Sequence, residues 1–203
     1  MKDPSRNPAF ESSFSFTGVI TDIERVGKKM QVQVHQDAAE KFPTDYKLVI
    51  PLSALQNEEF PYAAGDTVMI QDALLYTKDS EIRLRTAFMD QVSATTAQQG
   101  ELNALSFSGE IVEVKEEAGY TLVLMKQTYR DKYTTILEVI IPSSVRLEQP
   151  PKAGDIGYIR SAILYEKEGG YRAKITRNNT YKVLYSPDAV MCLGTIEARE
   201  KFI

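Results

Sequence analysis

The chain predicts an all-β fold made of two tandem copies of one five-stranded domain, and three observations carry that prediction. Residues 64–76, AGDTVMIQDALLY, recur 89 positions later as residues 153–165, AGDIGYIRSAILY. Phe16, Gly18 and Ile20 recur as Phe107, Gly109 and Ile111 at an offset of 91, and residues 49–51 (VIP) recur as 140–142 (IIP) at the same offset. Arg83 and Arg85 return as Arg172 and Lys174 at offset 89. Landmarks that keep their order through one two-residue deletion mark a repeat of roughly 85–90 residues. Each copy is a series of short β-branched and apolar runs bounded by turn residues.

Residues 1–13 are polar, with Pro4 and Pro8, and read as a flexible lead-in. The first strand is expected from Phe14 to about Arg25, with Gly18 in its interior. Glycine there marks a bulge or sharp bend, and Gly109 places the same bend in the second copy. Gly27 and Lys28 turn the chain into 30–35, MQVQVH, whose alternation puts one face in and one face out. The charged stretch 36–45, which holds Pro43, is expected to be a loop. A third strand, 46–50, stops at Pro51, which has no amide hydrogen to give a ladder. Residues 52–60 allow a short helical turn at best. Gly65 and Asp66 form the corner that launches strand 66–76; a turn follows at 78–80 and a last strand covers about 81–92. The small polar stretch 94–103 is the expected linker between domain 14–93 and domain 104–185. The second copy is expected to repeat the order at 105–115, 120–127, 135–141, 156–165 and 171–181. Beyond it, Ser186 before Pro187 opens a short C-terminal helical segment, 186–203.

Composition excludes several classes of function. Of 203 residues, 43% are hydrophobic, enough for one substantial core or two small ones, and the repeat decides for two. The net charge of −4 gives no bulk attraction to nucleic acid. It is unevenly held: residues 1–103 balance at −5 and residues 104–203 at +1, with six Lys and Arg against two acidic groups in 157–186. The single cysteine, Cys192, forms no internal disulfide. With the single histidine, His35, it leaves no soft metal-ligand set and no triad, so no metal, cofactor or catalytic residue is expected. His35 ends an alternating run and reads as a surface histidine. No apolar stretch approaches the ~18 residues that span a bilayer, and a cytoplasmic protein is expected.

Five short strands, a bent first strand and a connector between the third and fourth resemble the oligonucleotide/oligosaccharide-binding (OB) barrel. The Gly65-Asp66 and Gly154-Asp155 corners resemble those of single-stranded DNA-binding proteins, in which such a turn leads out a long fourth strand. The resemblance implies two tandem five-stranded OB barrels in one polypeptide, as in replication-type strand binders, with roles in replication, repair or recombination. The chain departs from the bacterial form of that family. It has no Gly/Pro/Gln-rich tail, and its last residues, Arg199 to Ile203, lack the acidic cluster that recruits partners, so a divergent phage or plasmid version fits better.

A sequence-tolerant strand binder needs aromatic faces for bases beside Lys or Arg for phosphates. Tryptophan is absent, but Tyr and Phe total 19, and 11 of them are Tyr, whose hydroxyl suits a wet surface. In the second copy Tyr158 and Arg160 lie two apart on one strand face, Arg172 and Lys174 do the same on the next strand, and Tyr129, Arg130, Lys132 and Tyr133 cluster between the second and third strands. The first copy has Met69 and Gln71 where the second has Tyr158 and Arg160, and keeps Arg83 and Arg85, with Lys28, Lys29 and Lys47 nearby. A tighter-binding second domain is therefore expected. Phe16, Phe107, Tyr76 and Tyr165 read as structural, since the repeat fixes them.

The leading expectation is non-catalytic binding of single-stranded DNA, or of RNA. The alternative is a protein-interaction module whose C-terminal apolar residues, among them Val190, Met191, Leu193 and Phe202, make subunit or partner contacts. Salt dependence separates the two, because only strand binding weakens steeply with salt.

Overall fold

The computed structural model describes residues 11–38, 42–78, 81–96, 102–129, 133–168, 170–178 and 180–185. The expected C-terminal helical segment and most of the lead-in lie outside them. Among the described residues twelve strands form one continuous sheet: β1 (Ser12–Val26), β2 (Lys29–Ala38), β3 (Phe42–Pro51), β4 (Thr67–Lys78), β5 (Glu81–Arg85), β6 (Val92–Ala94), β7 (Asn103–Glu117), β8 (Tyr120–Tyr129), β9 (Tyr133–Pro142), β10 (Ile156–Lys167), β11 (Gly170–Lys174) and β12 (Tyr181–Tyr185).

In the first half the pairings run β1–β2 and β2–β3 antiparallel, β3–β5 parallel, then β5–β4 and β4–β1 antiparallel, so the ring of pairs closes on β1. The second half closes the same ring through β7, β8, β9, β11 and β10. The short strands β6 and β12 extend β4 and β10 on their other edges.

The bend in β1 is where the ring turns. Phe14–Val19 pair with β4 while Val19–Val26 pair with β2, so Val19 serves both edges. A Cβ on Gly18 would stand 2.6 Å from the His35 carbonyl oxygen, and one on Gly109 would stand 2.6 Å from that of Lys126. Only glycine admits that approach. The Gly-Asp corners grip the same bend. Gly65, at φ 96°, donates its N–H to Ile20 O at 2.8 Å, and Ile20 N–H returns to Asp66 O at 2.9 Å. Gly154 and Asp155 repeat both bonds with Ile111 at 2.8 Å each. The repeated motif is thus a clamp between the head of the fourth strand and the bend of the first.

The halves meet along β1 and β7. Ser12 pairs with Phe107, Phe14 with Leu105 and Phe16 with Asn103. At the repeat offset of 91, Phe14 and Leu105 are one position and Ser12 corresponds to Asn103, so the seam is a pseudo-two-fold centred on the Phe14–Leu105 pair. Phe14, Phe16, Leu105 and Phe107 are all fully buried there, in a core that runs continuously through both halves. Tyr46 completes the aromatic cluster, 4.5 Å from Phe16 and 5.2 Å from Phe14 between ring centres.

Several sequence boundaries move. Stretch 36–45 is largely strand, because β2 runs to Ala38 and β3 begins at Phe42, with Pro43 opposite Asp37 near the start of β3, where a missing amide hydrogen costs least. The expected last strand, 81–92, divides into β5 and β6 around a 3₁₀ turn at Met89–Gln91, and the expected 171–181 stops as β11 at Lys174, with β12 beginning at Tyr181. The Gln91 side chain organises the first break, accepting from the N–H groups of Ala87 and Phe88 and donating to Gln71 O and Asp72 O. Asn103, assigned to the linker, opens β7, and Ser12 and Ser13, assigned to the lead-in, open β1. Residues 52–60 hold two 3₁₀ turns, as the short helical turn anticipated.

Candidate nucleic-acid interface

Val68 and Ile70 face inside the first half, and beyond the irregularity at Asp72 (φ 51°) parity switches, so that Ala73 and Leu75 face in and Leu74, Tyr76 and Lys78 face out. The outer row continues sideways: Leu74 pairs with Arg85 on β5, Arg85 with Val49 on β3, and Pro51, two residues on, with Lys29 on β2. These residues, with Lys28, line a pocket of about 140 Å³. Val49 and Tyr76 are 3% and 9% exposed yet stand apart from the continuous core, so they form its apolar floor. Around them sit Lys28, Lys29, Lys78 and Arg85, and no described lining residue is acidic. Four cations over an apolar floor concentrate positive potential on a half whose total charge is −5.

The other expected first-half cations sit differently. Lys47 and Arg83 both pair with Glu81, at 2.5 Å and 2.7 Å, and these partners, Lys47 foremost, hold the Glu81 carboxyl below its ordinary pKa. Lys47 also borders a groove of about 520 Å³ between the halves, with Gln33, Asp45, Glu81 and Glu166. Among its described lining residues, three carboxylates stand against one ammonium.

In the second half, Tyr158 and Arg160 do share the outer face of β10, half-buried and exposed respectively. Arg172 and Lys174 pair farther along β10, with Tyr165 and Ile163, beyond an irregularity where Ser161 takes a φ of 55°. The structure therefore does not join these two couples into one row. Arg172 is bound to Glu138 at 2.5 Å and lies 3.8 Å from Glu168. Tyr129 and Tyr133 pair as backbone at the ends of β8 and β9. Arg130 and Lys132 lie outside the described residues, as do the side chains of those two tyrosines.

The equivalent wall of the second half carries Gly119 and Tyr120 in place of Lys28 and Lys29, with Tyr165, Lys167 and Lys174 in place of Tyr76, Lys78 and Arg85. Two cations replace four, and burial raises the pKa of the Tyr165 phenol. Tyr171 is half-buried at the seam, stacked 5.8 Å from Tyr46 and donating its hydroxyl to Asp45 O.

Sequence reasoning placed Lys28, Lys29 and Arg85 in the site but missed Lys78 and Tyr76. The signal was available: Leu74, Tyr76 and Lys78 alternate at i, i+2 and i+4, opposite to the core residues on either side.

No family model and no curated protein matches the chain. Among solved structures it is similar to a deletion mutant of the single-stranded DNA binding protein from Thermus aquaticus, at TM-score 0.58 and 12% identity over 88% of this chain and 97% of that one. It also aligns with fission yeast Pot1 and ssDNA, at TM-score 0.34 and 8% identity over 95% and 90% of the two chains. The Ifi202 HINa domain in complex with 20bp dsDNA aligns at TM-score 0.29 and 11% identity over 83% and 93%. The last two scores are too low to bear on the fold. The Thermus likeness, over nearly the full length of both chains, gives this chain its fold: an all-β architecture of the oligonucleotide/oligosaccharide-binding type.

Proposed function

We propose that the chain binds single-stranded DNA without catalysis, through two OB-type barrels, by contacts of Lys and Arg to phosphates and of Tyr to bases. The observation that carries the reading is the pocket of Lys28, Lys29, Lys78 and Arg85 on the wall formed by β2, β3, β5 and β4. In OB folds the face of the second and third strands and the adjoining loops take oligonucleotides. Lys28 lies in the β1–β2 turn and Lys29 opens β2, and the pocket is bordered by the ends of β4 and β5. Tyr76 is too covered to stack, so this wall supplies charge, while Tyr158 beside exposed Arg160 supplies an aromatic face in the second half. The likeness to a protein named for binding single-stranded DNA supports the same reading. Protection or organisation of the strand in replication, repair or recombination is the process that such binding serves.

The test is fluorescence anisotropy of a labelled oligothymidine of about thirty nucleotides, long enough for two binding faces, with a duplex of equal length as control. Titrations at low and physiological salt should show preference for the single strand and an affinity that falls with salt by roughly 0.7 log units per log unit for each phosphate contacted. Equal binding to both forms, or none at low salt, rejects the reading.

A further inference from the structure

We infer that the four-cation pocket of the first half is a phosphomonoester site, which holds the phosphorylated end of a strand. The inference rests on the strand-binding reading for its occupant and goes beyond it in naming which part of the strand the pocket takes.

Charge comes first. Lys28, Lys29, Lys78 and Arg85 converge on one volume of about 140 Å³, and none of them forms an ion pair with a described carboxylate. Several other cations of the molecule are neutralised in place: Lys47 and Arg83 by Glu81, Arg25 by Glu58, Arg172 by Glu138. An internal phosphodiester brings one negative charge, whereas a terminal phosphate brings about 1.5 to 2 at neutral pH. Four cations with no described carboxylate partner around a single small volume match the second better than the first.

Shape points the same way. The floor is closed by Val49 and Tyr76, and the Tyr76 ring is 9% exposed, so no base can stack on it. The pocket has room for a phosphate and part of a sugar, and its rim is set by side chains from the β1–β2 turn and from the ends of β4 and β5. Arg85 supplies a planar fork for phosphate oxygens, and the lysines supply point charges around it. The repeat provides an internal control. At the same position the second half has Gly119 and Tyr120 for Lys28 and Lys29, which leaves two cations. The copies share a fold, so this difference in charge is not required by the barrel wall.

The experiment uses short labelled oligothymidines, identical except for a 5′-phosphate, a 3′-phosphate or free hydroxyls at both ends, with thymidine monophosphate as an unlabelled ligand followed by thermal shift. One phosphorylated end should bind on the order of tenfold tighter than the hydroxyl-ended strand, the scale of one charge-assisted contact. That ratio should fall to about one in Lys78→Ala and in Arg85→Ala, and persist in Lys174→Ala, the second-half counterpart of Arg85. Hydroxyl-ended and phosphorylated strands binding alike overturns the inference and leaves strand binding intact. Stabilisation by thymidine monophosphate that depends on Arg85, without binding of any oligonucleotide, keeps the phosphomonoester site, assigns it to free nucleotides and rejects strand binding. No response to any of these ligands rejects both.

Discussion

Gln36 and Gln127 make the same two hydrogen bonds from opposite sides of the seam. The Gln36 amide donates to Thr17 O and Leu102 O, each at 2.7 Å, and the Gln127 amide donates to Ser108 O at 2.8 Å and Glu11 O at 3.0 Å. Each glutamine thus ties its own half's first strand to the chain entering the other half. Thr44 and Thr135 repeat the pattern, accepting from the N–H groups of Glu166 and Thr77. The pseudo-symmetry extends from the backbone to the buried polar side chains, so the seam is built twice over.

Both glutamines are buried, at 0% and 5% exposure, and truncation removes two hydrogen bonds at each site, although Leu102 O and Glu11 O keep the N–H groups of Thr17 and Ser108. Gln36→Ala and Gln127→Ala are each expected to cost about 1–3 kcal/mol in urea denaturation, the range for unsatisfied buried polar groups. The double variant should lower the midpoint in one cooperative transition. Two separated transitions would show that the halves unfold independently and that the seam contributes little to cooperativity.

The polar ties across the seam were illegible in the sequence for a physical reason. Gln36 lay in a stretch assigned to a loop by its charge and Pro43, yet its partner carbonyl at Leu102 is 66 positions away. Asn103 read as linker, and only in the fold does its amide reach Gln36, Tyr46 and Leu164. Pairing at that distance leaves no local pattern. The Gly-Asp corners and the bend glycines were legible because each is a local backbone requirement stated twice. Lys28 and Lys29 were found by charge alone, and the half that balances at −5 holds a four-cation pocket that its bulk charge does not announce.

The bend glycines can be tested against an ordinary turn glycine. A methyl on Gly18 meets His35 O at 2.6 Å and Val34 Cγ1 at 2.7 Å, and one on Gly109 meets Lys126 O at 2.6 Å. Backbone atoms cannot retreat without shifting a strand, so Gly18→Ala and Gly109→Ala should each cost about 3 kcal/mol or more by thermal or urea unfolding. Gly27, at φ 59° with nothing within 4 Å of its Cβ, bears only the left-handed penalty. Gly27→Ala should cost about 1–2 kcal/mol. A ranking with Gly27 the most sensitive would mean that the first strand does not bend where the pairing places it.

His35 supplies a pH dependence. Its Nδ1 lies 2.8 Å from Asp45 and its Nε2 3.3 Å from Asp37; the Asp45 hydrogen bond, reinforced by both carboxylate charges, raises its pKa above the ordinary value despite partial burial. A folded pKa above the unfolded one stabilises the protein fully below the unfolded value of about 6.5, and that contribution is lost as pH rises through the folded pKa. Stability should therefore decline modestly from pH 6 to pH 8, by on the order of 0.5 kcal/mol for so exposed a pair. Chemical denaturation at the two pH values checks it, and the decline should shrink in Asp45→Asn and shrink further when Asp37→Asn is added. A rise in stability over the same interval would contradict the assignment.

Charge and stacking should separate by their salt signatures. Removing Lys28, Lys29 or Arg85 takes away a phosphate contact, so each Ala variant should weaken oligothymidine binding and reduce the salt slope by about 0.7. Tyr158→Ala removes an aromatic face, at about 1–3 kcal/mol, and should leave the slope unchanged. Arg160→Ala, on the same outward face of β10, should lower affinity and slope together. Tyr158 and Arg160 replaced together should lose more affinity than Met69 and Gln71 replaced together, their first-half counterparts. If instead the pocket variants leave the slope unchanged while Arg160→Ala reduces it, the strand follows the second half, and the basic pocket of the first half lies off its path.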